Sequence, residues 1–66
     1  MHLVVNGQPK QFEGPLTAAG LLAVLDLDAR AVVVELNRRI VRRPLLEQTQ
    51  LDDGDEVELV HFVGGG

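Results

Sequence analysis

One segment, residues 17–26 (TAAGLLAVLD), carries a helical apolar repeat, and the other apolar runs of the chain read as strands. Ala18, Leu21, Leu22 and Leu25 fall at i, i+3, i+4 and i+7, on one helical face. Thr17 precedes that face and makes a good N-cap, because its hydroxyl can accept from an orphan backbone N–H. Gly20 costs a helix about 1 kcal/mol relative to alanine, so a helix over 18–26 depends on packing. Its single apolar stripe must be buried against another layer, and strand runs supply that layer. With 66 residues the chain makes one small domain, and such a domain hides only about 60% of the surface its unfolded chain exposes.

The strand signals surround that helix. In HLVVNGQPKQF, Asn6-Gly7 joins two short runs, and Asn-Gly is the preferred pair of a type I′ hairpin. The spacing predicts strands over 1–5 and 10–12. Pro9 cannot donate to a ladder, which puts the second strand at an edge or gives it an irregular start. Gly14-Pro15 ends the hairpin. After the helix, the β-branched run AVVVELN reads as a central strand, and IVR as a brief edge strand. PLLEQTQL is a compact connection with room for one helical turn, DDGDE is a tight turn, and VELVHFV is the last strand. The order predicts an α+β domain, a mixed sheet of four to five strands with one helix across one face. The crossover through the helix permits parallel pairing of the first and last strands.

Several chemistries are excluded. There is no cysteine, hence no disulfide and no thiolate. His2 and His61 lie far apart and form no HExxH-type metal spacing. Asp52, Asp53 and Asp55 lack the ligand spacing and closing glutamate of an EF-hand and read as a turn. Thr17 and Thr49 are the only hydroxyl side chains, and neither sits in a nucleophile motif. No GxxxxGK[ST] loop is present to cradle phosphates. A net charge of -4 argues against general nucleic-acid binding. NRRIVRR holds Arg38, Arg39, Arg42 and Arg43, four of the six positive charges. They read as a solvated hairpin that blunts a sheet edge, or as a docking patch for an acidic partner. The longest uncharged stretch, residues 14–25, is well short of the ~20 residues of a membrane span. Nothing resembling a signal peptide opens the sequence, so the expected setting is the cytoplasm.

The sequence ends HFVGGG, with three of its seven glycines at Gly64, Gly65 and Gly66. The element order, the length and this ending resemble the ubiquitin-like β-grasp proteins. NG after the first strand, VELN in the middle, LDDGDEVELV and the final VGGG narrow the resemblance to the ThiS family of thiamine-pathway sulfur carriers, over essentially the whole chain. At the short strand, sequences of that family often carry Val-Pro-Arg. Here the residues are Val41, Arg42 and Arg43, so Arg42 stands where proline is common and a different local turn is expected.

The resemblance implies a carrier rather than an enzyme: a domain over 1–63 and a glycine tail over 64–66. It implies adenylation of the Gly66 carboxylate by an E1-like, ThiF-like enzyme that uses ATP. Sulfur from a donor such as a cysteine desulfurase then replaces AMP, and the thiocarboxylate passes sulfur to a ThiG-like thiazole synthase. The composition agrees with this. A carboxylate is a poor electrophile, and AMP supplies a leaving group. A chain without a phosphate loop or a bound cofactor needs a partner for that step, and one without cysteine does not carry sulfur on a thiol. Glycine permits close backbone approach, and residues 63–66, extended at ~3.3 Å each, reach roughly 13 Å. The alternatives are a molybdopterin-pathway carrier, a ubiquitin-like protein modifier, and an interaction domain with an inert solvated tail. Lys10 is the only lysine, which leaves few sites for chain building on itself.

Strand alternation predicts two faces. Met1, Leu3 and Val5, Val32, Val34 and Leu36, and Val57 and Leu59 with His61 form the sets free of acidic residues, expected against the helix. Val4, Val33, Val60 and Phe62 are expected on the open face among charges. Together with Val63 they form the expected partner-docking face, with Gly64, Gly65 and Gly66 entering the partner's active site.

Overall fold

The computed structural model describes residues 1–62. Strands His2–Val5 (β1) and Gln8–Gln11 (β2) form an antiparallel hairpin. Asn6 and Gly7 turn it with φ of 50° and 81°, the left-handed pair a type I′ turn requires. This two-residue turn sets Val5 opposite Gln8, so β2 begins before the expected residue 10. Pro9 stands opposite Val4 in the outermost strand. Its nitrogen points away from β1, where no ladder bond is lost.

Helix α1 spans Ala18–Val24, and the Thr17 hydroxyl caps it by accepting from the Gly20 N–H at 3.0 Å. It stops short of Asp26 because Asp26 enters the left-handed region at φ 59°. The Leu27 N–H then bonds the Leu22 carbonyl at 2.9 Å, and the Asp26 N–H bonds that of Ala23 at 3.1 Å. These bonds satisfy the last carbonyls of the helix, as in a Schellman ending. A 3-10 turn follows at Ala29–Ala31, capped by Asp28. Hydrogen bonds from the Arg30 side chain, and then from its backbone N–H, lower the exposed Asp28 carboxyl to about 2.

Strands Val32–Leu36 (β3) and Arg39–Val41 (β4) form a second antiparallel hairpin, turned by Asn37 and Arg38 at φ 50° and 72°. A 3-10 turn at Arg43–Leu45 occupies the compact connection, and Glu56–His61 is β5. The sheet has five strands in the order β2-β1-β5-β3-β4, with β1 and β5 parallel. The β-branched strand β3 is an interior strand, as its composition predicts, and β5 takes the middle position. Each hairpin brings its own second strand to an edge, and the last strand fills the gap between the hairpins. Arg42, at the family's usual proline position, has φ -68° and ψ 149°. This is the φ proline imposes, so the position is one proline could also occupy.

Leu3 and Val5, Val32 and Val34, and Val57 and Leu59 form the buried sheet face, packed with Ala18, Leu21 and Leu22 of α1 and with Leu46 and Leu51. Leu36 and Met1 are half-buried at its margin. His61 shares the alternation of Val57 and Leu59 but is exposed. As the last residue of β5 it lies at the rim, where a polar ring keeps its hydration. Leu25, expected in the core, is half-buried because the helix has already ended. Among the described residues no helix is long and apolar enough to cross a membrane.

Candidate functional site: the open sheet face

The face away from α1 is assembled from the alternate residues of four strands. Antiparallel register places Val33 opposite Val60, and Glu35 opposite both Glu58 and Ile40. On the parallel side Val4 stands opposite Glu56. The Phe62 N–H donates to the Ala31 carbonyl at 3.0 Å, which carries the β3–β5 ladder one residue past β5. Val4 and Val33 are half-buried, while Val60, Phe62 and Ile40 retain 53%, 64% and 66% of their surface. Phe62 is thus not a core residue. Phe62, Val33 and Ile40 line one shallow groove with Arg42 and Arg43.

Val4, Val33, Val60 and Phe62 share one face, as alternation predicts; Val33 and Val60 are direct neighbours near Phe62, whereas Val4 stands beside Glu56, four residues down β5 from Val60. Val63, Gly64, Gly65 and Gly66 lie outside the described residues. Ile40 joins the face unannounced. Its position follows from the Asn37-Arg38 turn, which sets Leu36 opposite Arg39 and therefore Glu35 opposite Ile40. That signal was present in the sequence as an asparagine opening a two-residue link.

The middle of this face carries two acidic side chains side by side, while Arg42 and Arg43 lie at its β4 end. Glu35 and Glu58 are direct cross-strand neighbours, and neither forms an ion pair among the described residues. Like charges directly opposite destabilise a sheet, and an opposite-charge pair stabilises it by ~0.2–1 kcal/mol. Glu58→Lys should therefore raise the urea midpoint of unfolding. An unchanged or lower midpoint would show that the two carboxylates do not interact.

The acidic turn is structural. The Asp53 Oδ1 accepts from the His2 N–H at 2.6 Å, and the Asp55 Oδ2 from the Asp52 N–H at 2.7 Å. Asn37 donates to the Asp55 Oδ1 at 3.0 Å and accepts from the Glu56 N–H at 2.9 Å, so the β3–β4 turn holds the start of β5. Asn6 accepts from the Leu59 N–H at 2.7 Å. Sequence reasoning assigned Asn6 a turn role only; its clamp on β5 depends on a sheet order that no local motif reveals. Thr49 donates its hydroxyl to the Leu45 carbonyl at 2.7 Å, a loop tie. Arg38, Arg39, Arg42 and Arg43 are all exposed on or beside the outermost strand β4, as a charged edge would be.

A mixed five-stranded sheet with one helix across it, its chain-terminal strand in the middle and an open apolar face beside that strand's end, is a ubiquitin-like β-grasp domain. The ThiS family matches residues 3–66. The chain belongs to that family. It is 42% identical to the sulfur carrier protein ThiS of Bacillus subtilis, over 97% of this chain and 98% of that protein. The crystal structure of the thiamine biosynthesis protein ThiS from Geobacter metallireducens superposes with a TM-score of 0.86 at 40% identity, covering 100% of both chains. The whole chain is also 42% identical to part of a thiazole synthase of Paramagnetospirillum magneticum, where it spans 20% of the length. It likewise spans only 20% of a thiazole synthase of Magnetococcus marinus, at 38% identity.

Proposed function

We propose that this chain is a sulfur carrier of thiamine biosynthesis, a co-substrate rather than an enzyme, that works through a thiocarboxylate at Gly66. The observation that carries the reading is the position of β5. The middle strand of the sheet is the one that precedes the glycine tail in sequence, and Val60 and Phe62 of the open face lie at its end. A partner that covers Val4, Val33, Val60 and Phe62 has the tail within reach of its active site. The Glu35–Glu58 pair suits a partner that brings a basic side chain to that face.

The chemistry requires three partners. An E1-like enzyme binds ATP; an oxygen of the Gly66 carboxylate attacks the α-phosphorus, and pyrophosphate leaves. A sulfur donor, a cysteine desulfurase or its equivalent, supplies a persulfide whose terminal sulfur attacks the acyl carbon and displaces AMP; a thiol reductant then cleaves the acyl disulfide to the Gly66 thiocarboxylate. Thiazole synthase accepts that sulfur, an oxygen from the acceptor or from water takes its place on the Gly66 carbonyl carbon, and the carboxylate returns. This chain binds no cofactor of its own in the cycle, which runs in the cytoplasm where the activating enzyme finds ATP. The match between the chain and a fifth of two thiazole synthases supports the last partnership, because joining two proteins in one polypeptide raises their effective concentration.

Incubating the sulfur-labelled thiocarboxylate form with purified thiazole synthase and its remaining substrates should place the label in the thiazole product. Transfer only to a molybdopterin synthase subunit, or appearance of Gly66 in conjugates with other proteins, would contradict this assignment.

A further inference from the structure

The two sides of β5 are unequally occupied. Residues 58, 60 and 62 turn their backbone groups toward β3: the Phe62 N–H reaches the Ala31 carbonyl at 3.0 Å, and the Asn37 N–H reaches Glu56 at 2.8 Å in the same alternation. Val57, Leu59 and His61 therefore turn theirs toward the β1 side. There β1 supplies partners only as far as Val57, whose carbonyl accepts from the Asn6 N–H at 2.9 Å. The chain then leaves through Asn6-Gly7 into β2. The Asn6 Oδ1 takes the Leu59 N–H at 2.7 Å, standing where the next residue of a neighbouring strand would place its carbonyl. Beyond it, the Leu59 carbonyl and the His61 N–H and carbonyl have no backbone group opposite them among the described residues.

This edge also lacks the guards of the others. The outer edge of β2 contains Pro9, and that of β4 contains Arg39 between Arg38 and Arg42. Proline and basic residues are the devices by which natural sheets keep foreign strands off their edges. Residues 59–61 carry neither proline nor lysine nor arginine, and they belong to the strand that precedes the tail.

We propose that the end of β5 is a strand-accepting edge, on which an extended backbone segment of thiazole synthase pairs with Leu59 and His61 as the tail enters its active site. Main-chain pairing of this kind supplies affinity without demanding a particular side chain. One donor and two acceptors are on offer, and the protein that receives Gly66 lies within roughly 17 Å of His61, five residues at ~3.3 Å each. The inference rests on the docking reading above and adds to it a backbone contact on the β1 side of β5.

Amide hydrogen exchange of the wild-type chain, alone and saturated with thiazole synthase, tests it. In the free chain the His61 amide should exchange far faster than those of Glu58 and Val60, and in the complex it should slow by roughly tenfold or more. His61→Pro removes the N–H without touching the β3 ladder, so it should melt near wild type and bind roughly tenfold more weakly. A His61 amide already as protected as Val60 in the free chain, one that stays fast in the saturated complex, or wild-type binding by His61→Pro would overturn the proposal. If His61→Pro melts early, the exchange measurement on the wild-type chain decides. Absence of any complex would instead overturn the docking reading and remove the inference with it.

Discussion

Removing Gly65 and Gly66 should leave the domain folded and abolish its adenylation. The buried cluster draws its sheet residues from Leu3 to Leu59, and no described residue after Leu59 belongs to it. A terminus that adds little packing contributes little stability, so the melting temperature should stay within a few degrees of wild type. Adenylation, by contrast, needs a carboxylate that reaches the enzyme's ATP. Truncation shortens the roughly 13 Å reach of residues 63–66 by about half, at ~3.3 Å per residue, and withdraws the acyl group from the reacting phosphorus. Adding residues after Gly66 should block the reaction equally, since the Gly66 carboxyl is then an amide. A truncated chain that still forms an AMP adduct would remove Gly66 from the mechanism.

Phe62→Asp should preserve the fold and disable docking. The ring keeps 64% of its surface exposed, and the tie to Ala31 is made by the backbone N–H, which the substitution retains. Little stability is therefore at stake. Binding is different, because an exposed aromatic beside Val33, Val60 and Ile40 is the type of anchor that dominates interfaces, where losing one costs about 2 kcal/mol or more. The new carboxylate also adds to a face that already carries Glu35 and Glu58. Affinity for the adenylating enzyme and for thiazole synthase should each fall by about tenfold or more, ~1.4 kcal/mol at least. A large drop in melting temperature would place Phe62 in the core. Normal binding of both partners would take this face out of the mechanism.

What the sequence disclosed is what local chemistry governs. Asn6-Gly7 announced its turn, Thr17 its cap, and Leu21 and Leu22 their buried stripe, because each depends on neighbours within a few residues. Alternation separated Leu3, Val34 and Val57 from Val4, Val33 and Val60 for the same reason. Non-local geometry was harder to read. The interior place of β3 was legible from its β-branched run, but the middle place of β5 arises from two hairpins closing on either side of it, which no local motif announces. The end of α1 was misread because a helical repeat continues through Leu25 while Asp26 turns left-handed. Ile40 reached the open face through register, which alternation within one strand does not supply. The second roles of Asn6 and Asn37, as side-chain clamps on β5, follow from strand order alone.

The central claim is that Gly66 carries sulfur as an acyl group. Intact mass spectrometry of the wild-type chain, after incubation with ATP, an E1-like adenylating enzyme and a sulfide source, addresses it most directly. Replacement of one carboxyl oxygen by sulfur should raise the mass by about 16 Da through acyl activation and substitution, and fragmentation should place the change on Gly66. A chain whose mass stays unchanged while the enzyme is shown to be active on another carrier, or a gain of sulfur at any other residue, would contradict the account.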